Sequence, residues 1–231
     1  MWRWFKRLAV AGIVLLFFVP VIWFVVFRFV PVPVTSFMIR GSVSGWLEEK
    51  PYRLQHDWVP IEQISPRLQR AVIASEDQKF LEHYGLDLEA IEKALVHNQR
   101  SRRVRGGSTI SQQTAKNIFL WPGRSYVRKG LEAYLTVMME TLWSKERILE
   151  VYLNSAEFGR GIYGAEAASR QYFRKGAAQL TAREAALLAA VLPAPRKRNP
   201  ARPSAYVSSH AAWIQGQMER LGPVERVFTA D

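Results

Sequence analysis

The chain has 231 residues, no cysteine and a net charge of +12, from 32 basic and 20 acidic side chains. That length holds one domain of about 180–200 residues with a sizeable core plus a short anchor, and leaves no room for a second large domain. The basic balance calls for a polyanionic partner, whether nucleic acid, anionic lipid or a phosphate-bearing substrate, and the absence of cysteine fits an extracytoplasmic compartment where stray thiols are a liability.

No residue from Leu8 to Phe27 is charged. Twenty helical residues reach about 30 Å, the thickness of a bilayer's hydrocarbon core. Trp2 and Trp4 stand where an aromatic belt belongs, Arg3, Lys6 and Arg7 precede the span, and Pro20 inside it is tolerated in membrane helices. A cleaved signal peptide would have a shorter apolar region and a small-residue cleavage site. Here the segment runs through Trp23, Phe24 and Phe27 to Arg28 with no Ala-x-Ala. The reading is a cytoplasmic N-terminus at 1–7, a retained transmembrane helix at 8–30, and the rest of the chain on the periplasmic side of the inner membrane; Arg28 and Arg40 weigh slightly against that orientation. Behind such an anchor nucleic acid becomes the least apt partner. Residues 31–54, opening on Pro31-Val32-Pro33-Val34, read as an extended linker.

Beyond the linker the pattern is almost wholly helical, with amphipathic segments near 65–79, 87–98, 109–118, 125–143, 145–154, 164–173, 181–192 and 204–221. Ser65-Pro66 supplies an N-cap with proline at the first helical position, Thr181 with Glu184 forms a capping box, and Pro193 closes that helix. No long alternating strand pattern and no internal repeat competes, so a single all-α domain is the natural result. In the first of these helices Leu68, Ala71, Val72 and Ser75 mark the inward face, and Glu76 falls on the same stripe. A carboxylate there loses hydration, and its pKa rises towards the range useful for moving protons at neutral pH.

Glycine-rich stretches at 105–109 and 158–164 precede two helices, where they either let backbone N–H groups approach an anion or a sugar or only turn the chain. Neither is a P-loop or a dinucleotide fingerprint, there is no nucleophile elbow, and His56, His83, His97 and His210 show no metal-ligand spacing. Four polar groupings remain. They are Glu76-Asp77-Gln78-Lys79-Phe80 with His83 and Gly85; Gly107-Ser108-Thr109-Ile110-Ser111-Gln112-Gln113 with Lys116-Asn117; Arg128-Lys129-Gly130-Leu131-Glu132; and Lys145 to Asn154 leading to Phe158-Gly159-Arg160-Gly161.

That ordered set resembles the peptidoglycan glycosyltransferases of glycosyltransferase family 51 over roughly residues 55–215. Their motifs Glu-Asp-x-x-Phe-x-x-His-x-Gly, Gly-x-Ser-Thr-x-x-Gln-Gln, Arg-Lys-x-x-Glu and Lys-x-x-Ile-Leu-Glu-x-Tyr-Leu-Asn are all met without a miss. The resemblance implies a lysozyme-like fold over 55–221 with a small membrane-facing jaw, a C-terminal tail at 222–231, and a monofunctional enzyme that leaves cross-linking to other proteins. It implies polymerisation of lipid II into β-1,4-linked strands by an inverting reaction that releases undecaprenyl diphosphate. Carried over residue by residue, it makes Glu76 the general base and Glu132 a second catalytic glutamate near the donor diphosphate. It puts Lys116 and Arg124 on that diphosphate with Lys79 close by. Ser108, Thr109, Gln112, Gln113 and Asn117 line the cleft or hold its shape, Asp77, Phe80 and His83 contact the substrate with them, and Arg128 and Lys129 support the donor side.

Preorganised cations in a dry cleft suit a diphosphate whose charge grows as it departs. They stand in for a divalent ion, so no cofactor is required, while Mg2+ or Mn2+ at the donor diphosphate stays open. The apolar run Ile118-Phe119-Leu120-Trp121 reads as the jaw tip, with Arg100, Arg102, Arg103 and Arg105 against anionic headgroups. Lipid II, the growing strand and membrane lipids are the implied partners, alongside division or elongation proteins and transpeptidases. A membrane-anchored muramidase or lytic transglycosylase is the nearest rival, since one glutamate in an α-rich fold also cleaves glycosides; a non-catalytic cell-wall scaffold is the other.

Overall fold

A computed structural model describes residues 2–47, 52–100, 106–123 and 125–222. Helix α1 (Trp2–Phe27) continues through Pro20. Among the described residues no helix is long and apolar enough to cross a membrane; within α1 the side chains at positions 8, 9, 11 and 13 lie outside the description.

The end of α1 is fastened to the rest of the molecule. Phe24 is fully buried, its ring 5.1 Å from that of Phe119 and 5.3 Å from that of Trp143. The Trp143 indole N–H donates to the Phe24 carbonyl at 2.6 Å, and Arg147 donates to the carbonyls of Phe27, at 2.9 Å, and of Val30. Phe24 and Phe27 lie in the last turn of α1 and Val30 just beyond it, where carbonyls run out of helical partners and polar side chains from elsewhere take them.

The segment expected to be an extended linker contains helix α2 (Ser36–Leu47) ahead of strand β1 (Gln55–His56). Thr35 Oγ1 accepts the Met38 N–H at 3.3 Å, and Ser36 Oγ donates to the carbonyls of Asn117 and Leu120 at 3.0 and 2.5 Å. Gly41 and Gly45 lower the helix propensity and hid the element. They are there because the Tyr52 ring lies on them; a Cβ at either position would collide with it.

The remaining helices fall where the periodicity places them: α3 (Pro66–Glu76), α4 (Leu88–Arg100), α5 (Ile110–Phe119), α6 (Tyr126–Leu142), α7 (Lys145–Ser155), α8 (Ala165–Phe173), α9 (Ala182–Val191) and α10 (Ala205–Leu221). Ser65 caps α3, and the capping box of Thr181 and Glu184 opens α9. Alanine-rich α9 packs between α3 and α10, with Ala185, Ala186, Ala189 and Ala190 fully buried so that the backbones approach closely. A second layer sets α5 against α6 and α7. Strands β2 (Glu157–Gly159) and β3 (Ile162–Tyr163) join β1 in a small sheet of order β1-β3-β2, parallel between β1 and β3 and antiparallel between β3 and β2. The second glycine stretch serves this sheet as a turn. Gly161 (φ 77°) and Gly164 (φ 88°) occupy the left-handed region, and a Cβ on Gly164 would come within 2.9 Å of the Asn154 carbonyl oxygen.

The apolar run at 118–121 differs from a freely exposed jaw tip. Ile118 and Leu120 are buried and Phe119 packs on Trp23 and Phe24, so Trp121 alone among the four is largely exposed. Helix α1 supplies the apolar surface that this segment was expected to find in lipid.

Candidate active site

Helix α3 stops at Glu76, three residues short of the periodic expectation, because Asp77 leaves helical geometry (φ −163°, ψ 79°) to reach elsewhere. Its carboxylate accepts the Ile110 N–H, in the first turn of α5, at 3.0 Å, and meets His83 Nε2 at 2.9 and 3.0 Å. A carboxylate at that helix start satisfies an orphan donor and complements the helix dipole. Thr109 caps the same helix, accepting the Gln112 N–H at 3.1 Å while its hydroxyl donates to the Gly85 carbonyl at 2.6 Å; Gln112 Oε1 accepts the Thr109 N–H in return. Asp77, His83, Thr109 and Gln112 are therefore the joint that sets α5 across the end of α3. Replacing Asp77 by Ala strands two donors, and the unfolding free energy should fall by about 2–4 kcal/mol, read as a lowered denaturation midpoint.

The joint presents Gln113 to Glu76. The Gln113 amide donates to Glu76 Oε2 at 2.9 Å, and its own oxygen accepts the buried Tyr152 hydroxyl at 3.4 Å. Burial pushes the Glu76 carboxyl above its ordinary pKa, while the Gln113 bond and the Lys116 charge pull it partway back. Burial also holds the Tyr152 phenol far above its usual value, so it stays a neutral donor.

Lys116, one turn further along α5, is desolvated and its pKa is lowered, opposed by the charge of Glu132 and reinforced by Arg128 and Lys129. Its ammonium lies 5.9 Å from the centre of the Phe37 ring, and among the described residues it makes no ion pair. Glu132 is buried on α6, held by Arg128 Nη1 at 2.8 Å and Lys129 Nζ at 2.5 Å; Lys129 also donates to Ser108 Oγ at 3.1 Å. Among the described residues Arg128 Nε is buried without a partner. Among the described residues Lys116, Arg128 and Lys129 thus gather around Glu132, beside Glu76. Among the described residues no group of three or more Asp, Glu or His side chains is placed to hold a metal ion.

Two cavities border this cluster. One, of about 510 Å3, is bordered by Ser75, Glu76, Gln78, Lys79, Ser108 and Trp213; the other, of about 220 Å3, by Gln113, Lys116, Asn117 and Tyr152. Lys79 sits on the wall of the first, paired with Glu89, which also takes Lys93. Phe80 differs from the expectation of substrate contact. It is fully buried in the core with the Lys145 ammonium 4.7 Å from its ring centre, so it shapes the site from beneath. Arg124 and the basic cluster at 102, 103 and 105 lie outside the described residues.

Tyr152, Trp213 and Gln217 were not singled out in the sequence. Tyr152 stood inside the fourth motif. Trp213 and Gln217 lie off the apolar stripe of α10, and no pattern flagged them.

A family model described as Transglycosylase matches residues 42–219. The biosynthetic peptidoglycan transglycosylase of Pseudomonas putida F1 is 55% identical over 209 residues, covering 87% of this chain and 89% of the relative. Relatives with the same name from Pseudomonas syringae pv. syringae B728a and Pseudomonas entomophila L48 are 54% and 56% identical over 197 residues, each covering 85% of this chain and 84% of the relative. With the match running through every element that frames Glu76, the chain belongs to the transglycosylase family.

Proposed function

We propose that this enzyme is a peptidoglycan glycosyltransferase of cell-wall synthesis that polymerises lipid II into β-1,4-linked glycan strands, with Glu76 as general base. The observation that carries the reading is the desolvated Glu76 carboxylate, oriented by Gln113 and set beside Lys116, which makes no ion pair among the described residues. A base of raised pKa takes a proton from the attacking sugar hydroxyl more effectively near neutral pH than an ordinary carboxylate. The hydroxyl attacks the donor's anomeric carbon from the face opposite the diphosphate, which inverts the linkage. Charge grows on the departing diphosphate, and Lys116, Arg128 and Lys129 are already in place to meet it, with Glu132 holding the last two in position. A divalent ion, Mg2+ or Mn2+, would take its ligands from the substrate's own phosphate oxygens.

The chain divides into an anchor in α1, a lysozyme-like catalytic domain over 55–221 and a short tail from 222. The uncharged run from Leu8 to Phe27 and the outward-facing Leu15, Leu16, Phe17, Phe18 and Ile22 support a single inner-membrane span with the cleft on the periplasmic side. Transpeptidases and division or elongation proteins are the partners such a strand-maker needs.

Purified protein in detergent, given lipid II and, separately, isolated sacculi, tests the reading. Strand growth from lipid II is the expected result. Muropeptide release from sacculi without strand growth would replace the synthase by a glycan-cleaving enzyme, and neither activity would leave a scaffold.

A further inference from the structure

On α10 three aromatic rings stack along the helix. Tyr206 and His210 have ring centres 5.9 Å apart with planes 25° from parallel; His210 and Trp213 are 5.5 Å apart and within 10° of parallel. The Arg198 guanidinium covers the Tyr206 end at 4.8 Å. Burial, helped by the Arg198 charge, lowers the His210 pKa, which disfavours a charged middle ring. The stack fixes Trp213 at the rim of the cavity that holds Glu76, where the indole remains 47% exposed. Next to it, Gln78 and Gln217 meet amide to amide at 3.5 Å across the same wall.

The apolar stripe that packs α10 into the core is Val207, Ala211, Ile214 and Met218, and Trp213 is not on it. A large ring left this exposed gives up burial that would stabilise the fold. Its position is preorganised by its neighbours rather than by core packing, which is the way rigid aromatic contacts for ligands are built. An aromatic face flanked by neutral amides matches one class of ligand on this site: a pyranose ring, with its apolar C–H face on the indole and its hydroxyl or acetamido groups on Gln78 and Gln217.

We propose that Trp213, backed by His210 and Tyr206, is a sugar-stacking subsite that holds an N-acetylated hexose of the glycan next to the one reacting at Glu76. The inference rests on the transferase reading for the identity of the sugar, but the platform is testable without turnover. The full chain in detergent is titrated with chitotetraose while the Trp213 indole N–H is followed by NMR, assigned by its disappearance in Trp213→Phe. The resonance should shift saturably. With lipid II as substrate, Trp213→Ala should raise KM about tenfold, the loss of one stacked ring, with the change in kcat the smaller of the two. Trp213→Phe should recover most of the affinity, and the melting temperature of both variants should stay near the parent's.

Comparing first coupling of two lipid II molecules with extension of a lipid-linked tetrasaccharide locates the sugar. A defect in extension alone puts a ring of the growing strand on Trp213, and a defect in both puts a ring of lipid II there. An indole resonance unmoved by chitotetraose, together with a parental KM in Trp213→Ala, would overturn the subsite. A parent protein that binds chitotetraose at Trp213 yet extends no lipid II would sink the transferase reading and leave the subsite standing.

Discussion

Replacing Glu76 by Gln abolishes strand synthesis from lipid II while the protein stays folded. The substitution keeps the side-chain shape and an oxygen to accept the Gln113 amide, so the site's geometry survives. What it removes is the proton acceptor, and loss of a positioned general base costs about 10²–10⁴-fold in rate. The sign of the stability effect separates this from misfolding. Burial raises the folded-state pKa of Glu76, so the group's contribution to stability is complete at pH below its ordinary value and is lost as pH rises through the raised one. A glutamine never ionises and never suffers that loss. The variant should therefore melt at or above the parent's temperature near neutral pH, by circular dichroism. For the parent, the same raised pKa predicts that kcat/KM climbs with pH through that range as the base deprotonates. Normal strand lengths from Glu76→Gln would take the proton away from this residue.

Lys116→Ala is expected to lower turnover by about 10²–10³-fold, the range for removing one preorganised group at a developing charge. Lys116 is desolvated and lacks an ion-pair partner among the described residues, an arrangement that favours neither folding nor the charged form by itself. Its charge is maintained by Glu132 and Glu76 nearby, and a diphosphate would complete the neutralisation. Truncation therefore removes a destabilising desolvation along with the packing on Phe37, and the melting temperature should change little. Lys116→Arg restores charge without the compact ammonium and should recover part of the rate. A large melting shift with unimpaired turnover would mean that the lysine only supports the fold.

Much of this was legible because helices advertise themselves. The caps at Ser65 and Thr181 and the apolar spacing fixed eight helices to within a few residues, since each cap satisfies donors that the helix cannot. Helix α2 escaped because two glycines argue locally against a helix, and only Tyr52, distant in the pattern, explains them. The early stop of α3 escaped for a similar reason: Asp77 trades a helical position for bonds to His83 and α5, an exchange visible only in three dimensions. Within the site, the motif residues were legible as a set, but not the division of labour among them. Phe80, Thr109 and Gln112 turned out to be buried support, whereas Gln113 and Lys116 from the same stretch face Glu76. Side-chain direction on α5 made that division, and spacing alone does not reveal which face meets a carboxylate from another helix.

The bonds from Trp143 and Arg147 to the end of α1 reach beyond architecture. Cutting the chain after residue 30 to obtain an easily handled enzyme would leave the Trp143 indole donor without its carbonyl and Arg147 with Glu150 alone, and would open the aromatic nest around Phe119 to water. Such a trimmed protein would be a damaged one, prone to self-association through the uncovered seam. The leading helix is thus a fitted part of the machine, and its loss would be felt first at the seam it shares with Phe119 and Trp143.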